Sequence, residues 1–260
     1  MITYFKNIFQ NRNLILSFVR QDLRARYRRS VLGMLWAILT PLGMTVIIAS
    51  VYSLLWKSDI HYFVPYLFSG LTPWSFLLAS CDAGAMSYIA AEGYIKQLPI
   101  KLEIFPLRVV STAFINNLMF GLLAYYIVVI FLAPEMITLW TLMVLPAMLL
   151  FFVLAVSLAT LAATAQVYTR DYAPMQSLVF QALFYVTPIL YDYTMFDQMG
   201  YAFIYEINPI FYFIQIMRDA LMGRAPNGQY WMIAVLIATV VFLLSQYVFN
   251  KTKKKIVFRL

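Results

Sequence analysis

Residues 30–56 read SVLGMLWAILTPLGMTVIIASVYSLLW, without one charged side chain between Arg29 and Lys57. Coiled as a helix, this run reaches about 40 Å, beyond the roughly 30 Å of a bilayer's hydrocarbon core. The whole chain of 260 residues repeats the message, being 63% apolar and 12% charged, against about 45–50% and about 25% in soluble domains. Its one cysteine, Cys81, leaves no intrachain disulfide and no zinc cluster to build. A soluble enzyme, a disordered tail and a disulfide-stapled secreted domain are thereby excluded. The composition describes an all-α integral membrane protein, read as a single domain over 1–260.

Further charge-poor runs lie at 62–90, 107–133, 146–169, 172–192 and 229–250. Each is long enough to cross a bilayer, so six transmembrane helices are predicted. Pro146 fits the first turn of its helix, where a missing N–H costs nothing. The net charge of +8 does not point to nucleic acid, because the basic residues crowd the two ends and one internal loop. With the N-terminus cytoplasmic, sixteen of the nineteen Lys and Arg fall inside. Only Lys57, Arg218 and Arg224 fall outside, together with six of the eleven acids. That bias places both termini, including the tail 251–260, in the cytoplasm. The first run is too long for a signal-peptide core and follows a basic segment, so it is expected to stay in the membrane.

Three regions do not read as plain spans. Residues 1–29 predict a helix on the inner surface, with Leu16, Val19, Leu23 and Tyr27 as an apolar stripe and Arg20, Arg24 and Arg28 beside it. It serves either as an anchor for the first span or as a surface for a cytoplasmic partner. Residues 92–104, broken by Pro99, predict a short amphipathic cytoplasmic helix, suited to docking a soluble motor or to connecting two spans. The outer region 194–224 is too apolar for a water-exposed loop. Asn208 as cap, Pro209 as first residue and Gly223 as stop predict a helix there. At about 14 residues it spans roughly 21 Å, too short to cross, and reads as a re-entrant or flat-lying helix, a lid or packing filler.

Asp82 is the one acid well inside a run and needs a partner helix, water or a span end. His61 reads as an interface residue and Cys81 as core. Tyr52, Tyr66, Tyr88, Tyr125, Tyr126, Tyr185 and Tyr191 suit either an aromatic lumen for a sugar chain or the belts and core of a membrane bundle.

Several stretches resemble one family in order along the chain. DLRARYRRSVLGMLWAILTPL (22–42), SGLTPWSFL (69–77), GYIKQLPIKLEIFPL (93–107), RDYAPMQSLVFQALFYVTPILY (170–191) and NPIFYFIQIMRDALMG (208–223) are similar to ABC type-2 permeases that export polysaccharides. These are the Wzm-like O-antigen permeases with their capsule and teichoic acid relatives. The third stretch departs from the family's FPRE order with LPIKLE. The resemblance implies six spans per subunit, a homodimer and two copies of a separate nucleotide-binding ATPase, in a bacterial inner membrane. It also implies a channel between subunits for a lipid-linked polysaccharide. On its motifs, Arg24, Arg26, Tyr27, Arg28, Arg29, Glu92, Tyr94, Lys96, Gln97 and Lys101 would meet the ATPase. Tyr201, Asn208, Pro209, Phe211, Tyr212 and Arg218 would belong to the outer gate, and Tyr52, Tyr66, Tyr88, Tyr125, Tyr185 and Tyr191 would line the channel.

No GxxxxGK[ST] loop occurs, so ATP and Mg²⁺ are expected on the partner, with no cofactor, metal or catalytic residue in this chain. An exporter of drugs or small lipids remains open. A membrane-embedded glycan-processing enzyme would want paired carboxylates or a His–Asp set, where this chain has one histidine and no DxD. A proton-driven carrier would want intramembrane acids and inverted repeats.

Overall fold

Proline and glycine punctuate the helices of this chain. The computed structural model describes residues 2–56 and 59–260; Lys57, counted above on the outer side, lies outside them. The described residues hold helices and no strand. In order these are α1 (Ile2–Gln10), α2 (Arg12–Tyr27), α3 (Trp36–Trp56), α4 (Ile60–Ala90), α5 (Glu92–Gln97) and α6 (Ile104–Ala113). A π-helical turn, Phe114–Met119, joins α6 to α7 (Phe120–Leu132). Then follow α8 (Val144–Tyr168), α9 (Tyr172–Val186), α10 (Thr194–Met199), α11 (Phe203–Glu206), α12 (Pro209–Leu221) and α13 (Gly228–Arg259). Four stretches are long and apolar enough to cross a membrane: Gly33–Tyr52, Ile104–Leu132, Leu139–Tyr168 and Gly228–Arg259.

The core gathers around α4 and α8. At Gly84 a Cβ would lie 2.6 Å from the Cβ of Ala159, so the missing side chain lets the two helices touch. Phe76 and Phe151 join them, with ring centroids 6.5 Å apart, and α12 and α13 close the far side. By contrast, among its described side chains α3 buries only a narrow seam of Ala37, Thr45 and Ala49, while Val46 and Ile47 are each 61% exposed. Similarly, α9 is held by Gln176 and Phe180, whose ring meets Trp74 at 5.9 Å. Helices attached this thinly keep broad apolar faces free.

Several boundaries differ from the sequence reading. The inner segment is two helices, not one over 1–29: it breaks at Asn11, whose Nδ2 donates to the carbonyl of Asn7 at 2.8 Å. The buried stripe of α2 is Ile15, Phe18, Val19 and Leu23, and Leu16 is 52% exposed. The stripe is rotated toward α6, where Phe18 meets the Arg108 guanidinium. The fifth run stops at Val186, short of 192, because Thr187 must be extended ahead of Pro188. Leu98 ahead of Pro99 ends α5 in the same way. The tail after 250 continues α13 as helix.

Candidate functional site

At the end of the bundle that holds α2 and α5, the basic residues sort into bound and free. Arg108 of α6 donates from Nε to Asp22 Oδ2 at 2.7 Å, and its Nη2 bonds the other carboxylate oxygen. The same guanidinium lies 4.6 Å from the Phe18 ring centroid. This pair fastens α2 to α6, and the hydroxyl of Tyr27 extends the fastening by donating to Asn116 in the π-turn. Arg20, Arg24 and Arg28 instead line an open groove of about 780 Å³ and form no ion pair among the described residues. Arg26 and Arg29 are likewise exposed.

The short helix α5 meets α2 through Tyr94, whose ring is edge-on to Phe18 at 5.8 Å. Ile95 anchors it from below, and Lys96, Gln97 and Lys101 stand exposed. Among the described residues Lys96 pairs only with Glu92, one turn back, at 2.5 Å. Asn7 of α1 donates to Glu103 at 3.2 Å, so α1 also grips the loop that follows α5. Burial, then the nearby Glu103 carboxylate, pushes the Tyr4 hydroxyl up to about 12. The two regions predicted to meet an ATPase thus form one surface.

The opposite end is organised around Arg218. Asn208 caps α12 by accepting from the Ile210 N–H at 3.0 Å, Pro209 opens the helix and Gly223, at φ +68°, follows its end. The resulting 13 residues are almost wholly buried against α4, α8 and α13. Arg218 has 0% exposure and no carboxylate partner among the described residues. Its Nη1 donates to Tyr66 Oη at 2.9 Å and to the Pro188 carbonyl at 2.8 Å, and Nη2 to the Ile189 carbonyl at 3.3 Å. The guanidinium sits 3.9 Å from the Tyr66 ring centroid. Tyr66 passes the chain on, donating to the Tyr191 carbonyl at 2.7 Å. A Cβ on Gly70 would fall 2.6 Å from Arg218 Nη2, so glycine makes the room. Sequence reading placed Arg218 in the gate but missed Gly70, although SGL holds the signal, and missed Asp22 and Arg108.

The remaining residues expected at an outer gate lie in or beside an aromatic cluster. Phe211 packs on Tyr205 at 4.6 Å and on Tyr230 at 5.6 Å, and Tyr212 also meets Tyr230. Tyr201 is 53% exposed and meets Phe203.

The tyrosines expected to line a channel separate clearly. Tyr88 and Tyr125 have 0% exposure and Tyr66 2%, so these three fill the bundle and do not border a lumen. Tyr125 donates to the Leu221 carbonyl at 2.8 Å, a packing role. Tyr52 and Tyr191 are partly buried and Tyr185 alone is exposed on its helix. Asp82 is exposed on α4, where its carboxylate accepts from Gln176 of α9 at 3.2 Å. His61 Nδ1 donates to the Leu132 carbonyl at 2.8 Å, and Cys81 is buried core. No His, Cys, Asp and Glu cluster fit for a metal occurs among the described residues.

Comparison with known proteins fits this arrangement. The model of the ABC-2 type transporter family matches residues 13–222. An O-antigen export system permease protein, RfbA, of Klebsiella pneumoniae is 27% identical over 246 residues, covering 93% of this chain and 92% of that protein. A protein of the same name from Myxococcus xanthus is 26% identical over 212 residues, covering 81% and 80%. With apolar helices of spanning length and a family match running from α2 to the end of α12, the chain belongs to the ABC-2 type transporters, bacterial membrane permeases that work with an ATPase subunit.

Proposed function

We propose that this chain is the permease subunit of an ATP-driven exporter that carries a lipid-linked polysaccharide outward across a bacterial inner membrane. Two copies enclose the path, and two copies of a separate ATPase bind ATP and Mg²⁺. In this reading α3, α4, α6 with α7, α8, α9 and α13 are the six spans, both termini are cytoplasmic and α12 is a re-entrant outer element. The O-antigen permeases that the chain resembles over most of its length support the substrate class.

The observation that carries the motor half is the joining of α2 and α5. Exposed Lys96 and Lys101 offer charge to a partner, while Tyr94 against Phe18 and Asp22 against Arg108 connect that surface to α6. A push on Glu92–Lys101 as the ATPase closes would reach α6 through those contacts. The free faces of α3 and α9, broadly apolar with exposed polar groups set among them, support a seam between subunits there. Thr40, Ser177 and Gln181 are exposed on these helices, whereas the exposed side chains of α7 include Leu123, Ile127, Ile130 and Phe131. A polar-bearing face is costly against lipid tails and is suited to a lumen or a second copy.

Charge reversal by Lys96→Glu with Lys101→Glu is expected to lower ATPase co-purification at least about fivefold, with the permease still inserted. Unchanged co-purification would overturn the docking surface. Deletion of the chain is expected to leave lipid-linked glycan on the inner face, measured by surface labelling before and after lysis. Normal surface glycan would favour an exporter of drugs or small lipids.

A further inference from the structure

The helix α13 runs for 32 residues. That is about 48 Å at the standard rise, beyond the roughly 30 Å of a hydrocarbon core. Its last turns, Lys251 to Arg259, follow the apolar run that ends at 250. Alone they would make a poor helix. Lys251, Lys253, Lys254 and Lys255 crowd like charges, with Lys251 and Lys255 one turn apart, and an untethered chain end frays. The helix persists because one stripe of it is covered. Phe249 and Ile256 are buried and Thr252 is half-buried between them, at helical spacing, while the four lysines and Phe258 face outward. The Arg259 guanidinium fastens the end, 4.1 Å from the ring centroid of Tyr168, the last residue of α8.

The cover is a second cluster of buried side chains, separate from the larger core around α4 and α8. It joins Phe249 and Ile256 to Tyr88 of α4, Ile95 of α5, Leu102 of the loop after α5 and Phe105 of α6. With six residues, α5 is too short to hold its own helix, so its place is set by what it packs on. Tyr94 meets Phe18 from the side and stays 42% exposed, whereas Ile95 is buried in the shared cluster. The loop after α5 is tied to α13 by another route as well. Asn7 of α1 donates to Glu103 at 3.2 Å, and Tyr4 on the same helix meets Phe242 of α13 edge-on at 6.3 Å.

We propose that the cytoplasmic end of α13 is a buttress for α5, with Ile256 as the positioning residue. It sets where the exposed Lys96 and Lys101 stand, and it links their surface to the last span as well as to α6. The proposal rests on the reading that α5 receives the ATPase. Ile256 has 0% exposure and meets no partner itself, so it acts through the side chains that share its cluster. Because α13 also packs along α8 and α12, a push on α5 has a second route into the bundle.

The test has two arms. The first reads amide exchange on the purified full chain in detergent, without ATPase. Ile256→Ala should speed exchange across α5 at least about fivefold and leave α12 unchanged. Ile95→Ala, on the other side of the contact, should speed exchange across 251–259 at least about threefold, and it serves if Ile256→Ala does not fold. Phe258→Ala removes a larger side chain from the same turn at a position 91% exposed, and should change neither. The second arm adds the ATPase. Ile256→Ala should lower the permease-stimulated kcat about threefold with KM for ATP unchanged, and Ile256→Leu should restore it. Unmoved exchange in both α5 and the tail, or equal loosening of α12, overturns the buttress. Wild-type stimulation by an Ile256→Ala chain with a loosened α5 overturns the positioning role. If Lys96→Glu with Lys101→Glu leaves co-purification unchanged, the docking reading falls by itself, and the exchange arm still decides whether α13 holds α5.

Discussion

Two arginines, one near each end of the bundle, are held in opposite ways. Arg218 has no exposure and leans on neutral partners: a tyrosine face, a tyrosine hydroxyl and two carbonyls after α9. Arg108 keeps 20% of its side chain exposed and is paired with a carboxylate that keeps 24%. Removing a buried charge's partners is expensive, and water cannot substitute for them. A pair that keeps about a fifth of each side chain in water can open because water replaces the lost bonds. The end at Arg218 is therefore a fixed clasp across α4, the segment after α9 and α12. The end at Arg108 is a fastening that can open and re-form, and that is the end where the proposed motor surface lies.

The largest effect is expected at the clasp. Arg218→Met leaves the Pro188 and Ile189 carbonyls and the Tyr66 hydroxyl without their donor. The Tyr66 hydroxyl keeps its bond to the Tyr191 carbonyl, so two buried carbonyls are left unsatisfied, and at about 1–3 kcal/mol for each the loss is at least about 2 kcal/mol. Arg218→Lys retains the charge but not the fork of donors, and should fall between. Gly70→Ala drives a methyl against Nη2 and should cost about 1–3 kcal/mol by overpacking. Thermal unfolding in detergent, read by size exclusion, ranks all three. A wild-type midpoint for Arg218→Met would remove the distinction between the two ends.

At the fastening the expected effect is smaller. A double-mutant cycle on Asp22→Ala and Arg108→Ala should give a coupling of about 1 kcal/mol, because solvent screens a pair this exposed. Its signature should be local, with faster amide exchange across α2 and little change in α12. Equal loosening of both helices would mean that the bundle transmits strain as one body and that the inner end has no independent freedom.

How legible this was depends on the kind of signal. The α12 helix could be read closely, since Asn208, Pro209 and Gly223 each act locally through cap, fixed φ and left-handed stop. The spans could be read because charge-free length needs no tertiary information. Arg218 could be located, but its partners come from α4 and from the segment after α9, 152 and 29 to 30 residues away. Tyr66, Tyr88 and Tyr125 were placed on a lumen because tyrosine suits sugar and core equally, and only packing separates the two. The stripe on α2 is shifted by one position, since Ile15 and Leu16 are equally apolar and only packing decides which is covered. Asn116 and Asn117 drew no notice in the sequence, which gives no reason to expect a π-turn there.

The smallest effect completes the ranking. Glu92 and Lys96 are paired at one helical turn with 44% and 48% of their side chains exposed. Such pairs contribute about 0.3–0.5 kcal/mol, less in salt. Glu92→Gln should therefore leave the unfolding midpoint within measurement error and leave α2 exchange unchanged. If it instead destabilised the chain as Arg218→Met is expected to, α5 would be a structural strut, and a strut could not move with a motor. A stability-neutral Glu92→Gln that still weakens co-purification of the ATPase would be the sharper outcome. It would show that the pair's role is to hold Lys96 in place for a partner, leaving stability to the deeply buried contacts around Arg218.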